Sequence, residues 1–283
     1  MKSVTSVSGG KTSAYMALHY PTDYYIFAVV LTDHQPSAPK DPGLLRECQA
    51  RIPGFVATHE ADQTLVNVLR LEQELVQPIQ WVAAEYSLDR FVSQQTDLPG
   101  YRPGCRSILP NKRLRFCTVE QKIMPIFWHL WRFWWDGDPL LMNIGFRWDE
   151  PRRVEGWNCD NDTIRVPVAC GLTPTKRWRY MPVEWRVPQF PLYQDRVNHA
   201  TIRQFWQRKG WVFPEISNCR FCFHHTAIQL QRQATLEPDN LDWWLQQESR
   251  TGATFGDQPL AEILRQPVLP VFNDQKTSCF CGD

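Results

Sequence analysis

Residues 3–13 decide the fold, and they read Ser3-Val4-Thr5-Ser6-Val7-Ser8-Gly9-Gly10-Lys11-Thr12-Ser13. The first part is short and β-prone, the two glycines indicate a turn, and Ala14 to His19 is typical of a helix. A strand that turns through glycines into a helix points several backbone N–H groups, and the positive end of the helix dipole, at one place. We therefore predict a phosphate-binding loop. The same glycine turn also occurs without a ligand, and the strand–loop–helix setting favours the binding interpretation.

Strands alternate with helices after this loop. Tyr24 to Leu31 is a continuous apolar run, as expected for a strand covered on both faces. We predict a third short strand over Phe55 to Thr58, a helix over Leu65 to Leu75, a long helix over Thr118 to Trp135 and a buried strand over Leu140 to Phe146. This order predicts an α/β fold with a doubly wound, mostly parallel sheet.

The second half of the chain is less regular. Two stretches, Ser87 to Asn111 and Val166 to Pro191, are predicted as irregular because of their prolines and glycines. Further helices are predicted at Ala200 to Lys209, Thr226 to Ala234 and Asn240 to Glu248, before an irregular tail from Val268 to Asp283. We expect a nucleotide-binding domain over residues 1–225 and a helical, cysteine-bearing extension over residues 226–283.

Composition excludes several classes of protein. With 43% hydrophobic residues, 22% charged residues and a net charge of +1, the 283-residue chain is neither disordered nor strongly basic. The longest apolar candidate, Ile126 to Trp135, is interrupted by His129 and Arg132, and the first residues lack a signal-peptide pattern. We therefore expect a cytoplasmic protein with no membrane partner. Its nine cysteines are then expected to be metal ligands, nucleophiles or spare thiols.

Polar residues follow the predicted strands. In a parallel sheet, ligands bind at the carboxyl ends of the strands, near the point where the strand order reverses. Asp33, His34, His59 and Asp62 fall at such ends, and Asp33 is our candidate for a nucleotide contact. The alternative is that Asp33 and Asp62 are helix caps.

The cysteines suggest a metal centre. Cys219 and Cys222 form a C-x-x-C pair, a spacing that can bind one metal ion or part of an iron–sulfur cluster. Cys117 lies just ahead of a predicted helix that carries Lys122. Any fourth ligand would come from Cys105, Cys279 or Cys281, whereas Cys48, Cys159 and Cys170 have no partner at ligand spacing.

Taken together, these motifs resemble the phosphoadenylyl-sulfate reductase family. The glycine loop is similar to the PP-loop, the Ser-Gly-Gly-x-Asp/Thr-Ser pyrophosphate loop of the adenine-nucleotide alpha-hydrolase-like superfamily. Members with a cluster carry Cys-Cys-x-x-Arg-Lys-x-x-Pro-Leu and a later Cys-x-x-Cys. Here Cys117, Lys122 and Pro125 match the first element, and Thr118 stands in place of its second cysteine.

Two further elements extend the resemblance. Gly145-Phe146-Arg147-Trp148-Asp149-Glu150, with Arg153 close behind, resembles the family's Gly-Ile-Arg-x-x-Glu-Ser segment, which implies that Arg147 and Arg153 bind sulfate or phosphate. Cys281-Gly282 resembles a carboxyl-terminal Glu-Cys-Gly-x-His, without its glutamate and histidine. This implies that Cys281 is a nucleophile later released by thioredoxin. The competing interpretation makes Cys279 or Cys281 a metal ligand.

The resemblance implies an enzyme that reduces a sulfonucleotide. It would bind ATP, adenylyl sulfate or its 3′-phosphorylated form, with Mg²⁺ as a further expectation. Its implied residues are Ser8, Gly9, Gly10, Lys11, Thr12, Ser13, Asp33 and Arg153 for the nucleotide, Cys117, Cys219, Cys222 and Cys279 for a 4Fe-4S cluster, and Cys281, Lys122 and Arg147 for catalysis.

Two alternatives remain open at this point. One is an ATP pyrophosphatase-type enzyme that modifies nucleic-acid bases, as thiolation enzymes do, because the stretch Lys176 to Tyr180 interleaves cations with aromatic rings. The other is a noncatalytic nucleotide-binding module in which zinc replaces the cluster.

Overall fold

The structure is a computed structural model that describes residues 1–92, 109–112, 114–157, 163–172, 174–175 and 178–267. For residues 165–172 and 178–180 only the backbone is described. No helix in these ranges is long and apolar enough to cross a lipid bilayer.

A five-stranded sheet forms the centre of the molecule. Its strands are β1 (Ser3–Val7), β2 (Tyr24–Val29), β5 (Ile79–Ala83), β6 (Leu140–Asn143) and β9 (Arg186–Gln189), in the order β5-β2-β1-β6-β9. All four neighbouring pairs are parallel. The chain first adds β2 and β5 on one side of β1 and later adds β6 and β9 on the other side, so the strand order reverses beside β1. The predicted α/β fold with a mostly parallel sheet is confirmed.

Helices cover both faces of this sheet. Tyr25 and Phe27 of β2 point towards one face, and Ile26 and Ala28 point towards the other, because side chains alternate along a strand. The first face packs against α1 (Lys11–His19), α2 (Pro42–Arg51), α3 (Asp62–Leu75) and α9 (His199–Lys209). The second face packs against α6 (Met124–Phe133). This two-sided burial explains why β2 is continuously apolar.

The long helix predicted over Thr118 to Trp135 is present in three consecutive pieces. These are α5 (Phe116–Thr118), a single π-helical turn over Val119–Ile123, and α6. Pro125 lies in the first turn of α6, where its missing N–H is tolerated. The π turn carries Lys122, and such turns are frequent at functional sites.

The prediction for Phe55 to Thr58 is partly wrong. Only β4 (Ala57–Thr58) is a strand there, and it pairs antiparallel with β3 (Leu31–Thr32) in a separate two-stranded sheet. The position beside β2 in the main sheet is occupied by β5 instead, which the sequence analysis did not identify.

The prediction of irregular structure over Val166 to Pro191 is wrong. This stretch belongs to an antiparallel hairpin of β7 (Thr163–Leu172) and β8 (Trp178–Glu184), followed by β9 of the main sheet. The β7–β8 register shifts twice, between Val166 and Ala169 and again before Leu172. Prolines are tolerated at such bulges and at sheet edges, which is why a proline-rich sequence can still form strands.

Three carboxyl-side helices form a third packed layer. They are α10 (Ala227–Leu236), α11 (Pro238–Thr251) and α12 (Leu260–Arg265). The first two agree with the helices predicted at Thr226 to Ala234 and Asn240 to Glu248, and the third was not predicted. The short helices α4 (Leu88–Val92), α7 (Pro151–Glu155) and α8 (Pro191–Gln194) complete the described helices. Trp243 and Trp244 of α11 share a hydrophobic cluster with Phe221 and Phe223, which flank Cys222.

A buried arginine joins this layer to the sheet. The side chain of Arg220 is 3% exposed, and it donates to the backbone oxygens of Ser37 and Thr58, both at 3.0 Å, and to Asp62 at 2.7 Å. Glu237 Oε2 lies 2.8 Å from Nε, as an ion pair without the angle of a hydrogen bond. Arg220 therefore connects four segments that are remote in sequence.

We expect Arg220→Met to lower the free energy of unfolding by about 3 kcal/mol, because it leaves two carboxylates and two carbonyl oxygens without their cation. The measurement is denaturant unfolding near neutral pH. Arg232→Met is the matched control, since the Arg232–Glu215 pair is exposed, and it should change stability by no more than about 0.5 kcal/mol. A loss at Arg220 no larger than that of the control would contradict the anchoring role.

Candidate functional site

The glycine loop has the shape that the sequence predicted. Gly9 has a φ of +69°, a conformation that other residues rarely adopt. A Cβ on Gly9 would lie 2.5 Å from Thr64 Cγ2 and 2.7 Å from the Thr64 backbone oxygen, so the loop is pressed against the start of α3. Ser13 Oγ accepts a hydrogen bond from Ser8 N at 3.0 Å and lies 2.9 Å from Ser8 Oγ. The loop is thereby closed over the first turn of α1.

Asn218 holds the outer side of the same loop. Its Nδ2 donates to the Ser8 backbone oxygen at 2.8 Å, and a Cβ on Gly10 would lie 2.8 Å from that Nδ2. Gly10 is therefore required by the close approach of Asn218. The sequence analysis missed this residue, because nothing in its spacing from the loop, 210 residues away, indicates contact.

A short backbone ladder brings the C-x-x-C pair to the loop. Ala61 N donates to Asn218 O, and Arg220 N donates to His59 O, both at 2.8 Å. Glu60 and Cys219 thus face each other as an isolated antiparallel bridge. Through this ladder, the predicted metal-ligating segment and the predicted phosphate loop become parts of one site.

A crevice opens between the loop and the second face of the sheet. It is a narrow space of about 30 Å³ and lies where the strand order reverses, between the carboxyl ends of β1 and β6. This is the usual ligand position in an open α/β sheet. Ser6, Ser8, Asn143, Lys122 and Arg186 supply its polar lining, and Ile123, Ile126, Ile144 and Trp185 supply apolar walls.

Arg147 reaches the loop from the element after β6. Its Nη1 lies 3.3 Å from Thr12 Oγ1 and 3.2 Å from Glu150 Oε2, and its side chain is only 11% exposed. Arg153 pairs with the other oxygen of Glu150 at 3.1 Å and lies 4.0 Å over the Phe146 ring. The structure thus brings Arg147 to the loop, with Arg153 behind it on the same carboxylate.

Lys11 contributes to the glycine loop through both its backbone oxygen and its charged side chain. Its backbone oxygen accepts a hydrogen bond from Trp206 Nε1 at 2.8 Å. Burial, and to a smaller extent the positive charge of Arg203, lowers the pKa of the Lys11 ammonium. A phosphate bound at the loop would raise the pKa of this ammonium group again, because it brings negative charge close to it.

Three predicted metal ligands interact electrostatically. Burial raises the pKa of the Cys117 thiol to about 12, and negative charge on Cys222 and Cys219 acts in the same direction, while Lys122 opposes it. Cys48 lies on α2, buried in the hydrophobic core against α3, where burial raises its pKa to about 12. Cys117 is thus within electrostatic range of Cys219 and Cys222.

A buried ion pair lies beside these thiols. Lys122 Nζ is 2.9 Å from Glu60 Oε1 and 3.5 Å from Cys219 Sγ. Glu60 is 1% exposed, and its two oxygens lie 3.8 and 3.7 Å from Cys219 Sγ. The structure therefore places Lys122 in contact with the Cys219 thiol. Glu60 was missed, because a single glutamate after a short strand carries no recognisable pattern.

The thiols suit a metal centre by their chemistry. Thiolates are the preferred ligands of iron–sulfur clusters and of structural zinc, and Lys122 offsets part of the mutual repulsion of three sulfurs. Among the side chains that the structure describes, no group of three or more His, Cys, Asp or Glu is already arranged to hold a metal ion. Cys105, Cys279 and Cys281 lie outside the described residues.

The polar residues at the other strand ends do not converge on the crevice. Asp33 accepts a hydrogen bond from Ser87 Oγ at 2.8 Å and lines a different cavity with Trp81. His34 bonds to Ser37, and His59 is buried against Trp243. Asp62 starts α3 and accepts from Arg220. The structure therefore offers no contact between Asp33 and the loop.

Comparisons with known proteins found no match: no family model, no curated protein and no solved structure is similar to this chain.

We expect Gly10→Ala to weaken the binding of a nonhydrolysable ATP analogue by about tenfold, because the added methyl group displaces Asn218. Asn218→Ser shortens that side chain, so Gly10→Ala should cost much less in an Asn218→Ser background. The measurement is calorimetric titration of all four proteins of this double-mutant cycle. Equal losses in the two backgrounds would contradict the steric link between Gly10 and Asn218.

Proposed function

We propose that this chain is a PP-loop enzyme that binds an adenine nucleotide at Ser8–Ser13 and performs sulfur chemistry beside it. The single observation that supports the proposal is the contact of Asn218 with both parts of the site. Asn218 donates to the Ser8 backbone oxygen, and it directly precedes Cys219. Nucleotide phosphates and reactive sulfurs would therefore meet in one place.

The phosphates would be bound mainly by the backbone. N–H groups at the start of α1 suit anionic oxygens, and Arg147 adds a cation near Thr12. A guanidinium can bind a phosphate or sulfate with two parallel hydrogen bonds. Lys122 and Arg186, which line the narrow crevice beside the loop, would place two cations near the phosphates, and the adenosine part would lie outside this space. Mg²⁺ would accompany ATP.

The reaction we propose first is the reduction of a sulfonucleotide. The Cys281 thiolate attacks the sulfonate sulfur, a bond forms between the two sulfurs, and the bond from that sulfur to the phosphate oxygen breaks. The nucleotide monophosphate leaves. A thioredoxin-like dithiol then attacks the Cys281 sulfur, sulfite departs, and the dithiol is oxidised to a disulfide as its second thiolate releases Cys281. Lys122 and Arg147 would stabilise the developing negative charge.

Cys117, Cys219 and Cys222 would hold an iron–sulfur cluster, with Cys279 as the proposed fourth ligand. If Cys279 does not bind, the three remaining cysteines would leave the cluster able to bind sulfide or a sulfur substrate. Lys122 would then place a positive charge 3.5 Å from one of the ligating sulfurs. Zinc is the alternative metal for the same thiols. We place this chemistry in the cytoplasm, where thiols stay reduced.

One observation favours a second candidate function, the ATP-dependent modification of a nucleic-acid base. Thr118 replaces the second cysteine of the family element, is 7% exposed, and hydrogen-bonds through its side chain to Cys117. A threonine that is buried and bonded in this way does not leave room for a fourth thiol beside Cys117. In this reaction ATP adenylates a carbonyl oxygen of the base, pyrophosphate leaves at the loop, and a sulfur nucleophile then displaces AMP.

The test is the product released by anaerobically purified, full-length protein. With adenylyl sulfate or its 3′-phosphorylated form and reduced thioredoxin, we expect sulfite, and we expect Lys122→Met and Arg147→Met to lower its rate at least about tenfold. Lys209→Met is a matched control, because Lys209 lies outside the site on α9. Pyrophosphate release that depends on added nucleic acid, without sulfite, would replace the first reaction by the second.

Iron and sulfide analysis of the same preparations tests the metal centre. Cys219→Ser should lose most of the bound iron and the visible absorption of the cluster, whereas Cys48→Ser should keep both, because Cys48 lies in the core near α2. Stoichiometric zinc without iron would contradict the cluster. Equal iron in both variants would contradict the assignment of Cys219 as a ligand.

A further inference from the structure

A second cavity lies on the far side of Cys222. We call it the aromatic cavity. It is lined by residues 221–227 and by parts of α10, α11 and α12, and its volume is about 360 Å³. Pockets for small ligands range from about 300 to 1,000 Å³. Its lining shares no residue with the lining of the crevice beside the glycine loop.

Flat aromatic side chains dominate its walls. Trp244 and Phe255 meet edge to face, with ring centroids 4.3 Å apart, and Phe221 lies 6.1 Å from Trp244. Phe223 completes the set, and each of the four side chains is at most 5% exposed. Such walls are rigid and offer π-faces and edges to a planar ring, which is how proteins bind bases without strong sequence preference.

Polar groups occur at two places in the cavity. Glu248 lies inside, where burial raises the pKa of its carboxyl group and where it accepts from Phe255 N at 3.0 Å and from Leu260 N at 2.7 Å. Lys112 and Asp257 form an exposed ion pair, 2.5 Å long, at the rim. A carboxyl group inside the cavity suits a ring that carries N–H donors, and the rim carries one ammonium and one carboxylate group.

Cys222, one of the predicted metal ligands, is part of the lining of this cavity. Cys222 is 6% exposed, and Cys219 Sγ of the same C-x-x-C pair lies 3.5 Å from Nζ of Lys122, which lines the crevice. The thiols therefore lie between two separate spaces. One space adjoins the phosphate loop, and the other is lined by aromatic rings.

We propose that the aromatic cavity is an acceptor site, which binds a planar heteroaromatic ring of nucleobase size next to Cys222. The proposal rests on the proposed function only in taking the thiols as the reacting centre. The ring can come from a free nucleoside or from a base turned out of a single strand, and the two sources share the same chemistry.

Binding of the fluorescent base 2-aminopurine tests the proposal on the full-length protein. We expect saturable quenching of its emission on binding, because the ring stacks against aromatic side chains. The free riboside and a short single-stranded oligonucleotide that contains one 2-aminopurine are titrated separately. Whichever of the two binds more tightly identifies the source of the ring. Excess nonhydrolysable ATP analogue should not compete, since the nucleotide binds at the glycine loop.

Two obstructing variants locate the binding. Gly256 lines the cavity, and a Cβ there meets only Gln258 O, at 3.8 Å. Gly256→Trp should weaken binding at least about tenfold, whereas Gly256→Ala, the matched control, should leave it within about twofold. Ala227→Phe obstructs the cavity from the first turn of α10 and covers the case in which Gly256→Trp does not fold.

The outcomes separate this proposal from the proposed function. Absence of saturable quenching, unchanged binding in both obstructing variants, or full competition by the ATP analogue would overturn the acceptor site, even if sulfite is released normally. Conversely, quenching that is lost only in the obstructing variants supports the acceptor site, even if no sulfite is formed.

Discussion

The site depends on a backbone pairing between two remote segments, residues 59–61 and 218–220. Two hydrogen bonds of 2.8 Å join them, from Ala61 N to Asn218 O and from Arg220 N to His59 O. Without this pairing, neither Asn218 nor Cys219 would have a fixed position relative to the glycine loop. Both segments are largely buried, so their backbone groups have no water to bond with if they separate. The pairing is therefore a constraint on the fold as well as on the chemistry.

Buried charged side chains lie next to this pairing. Arg220 stabilises the pairing through hydrogen bonds to Asp62 and to two backbone carbonyl oxygens. Lys122 and Glu60 form an ion pair beside Cys219. Burying such charges costs free energy, which good geometry offsets only in part. The ion pair holds the ammonium group of Lys122 3.5 Å from Cys219 Sγ.

Local sequence patterns predicted much of the fold and only part of the site. The glycine loop, α1, β2 and the helices α10 and α11 follow from periodicity and turn residues, whereas α12 was not predicted. The strand β5 and the hairpin β7–β8 were missed, because a short strand with an exposed Gln80 and a strand rich in prolines both resemble loops. Asn218 and Glu60 act only through contacts across the fold, which no local pattern encodes. Asp33 was chosen because it follows a strand. That strand is β3, and Asp33 lines another cavity.

The most direct measurement of the central claim is the alkylation rate of individual cysteines with and without a nucleotide. If Asn218 couples the loop to the C-x-x-C segment, a saturating nonhydrolysable ATP analogue should slow the alkylation of Cys219 several-fold in metal-free protein, as followed by mass spectrometry. Cys48, in the core beside α2 and α3, should be unaffected. The same rate for Cys219 with and without the bound nucleotide would contradict the account, because the loop and the thiols would then not share a site.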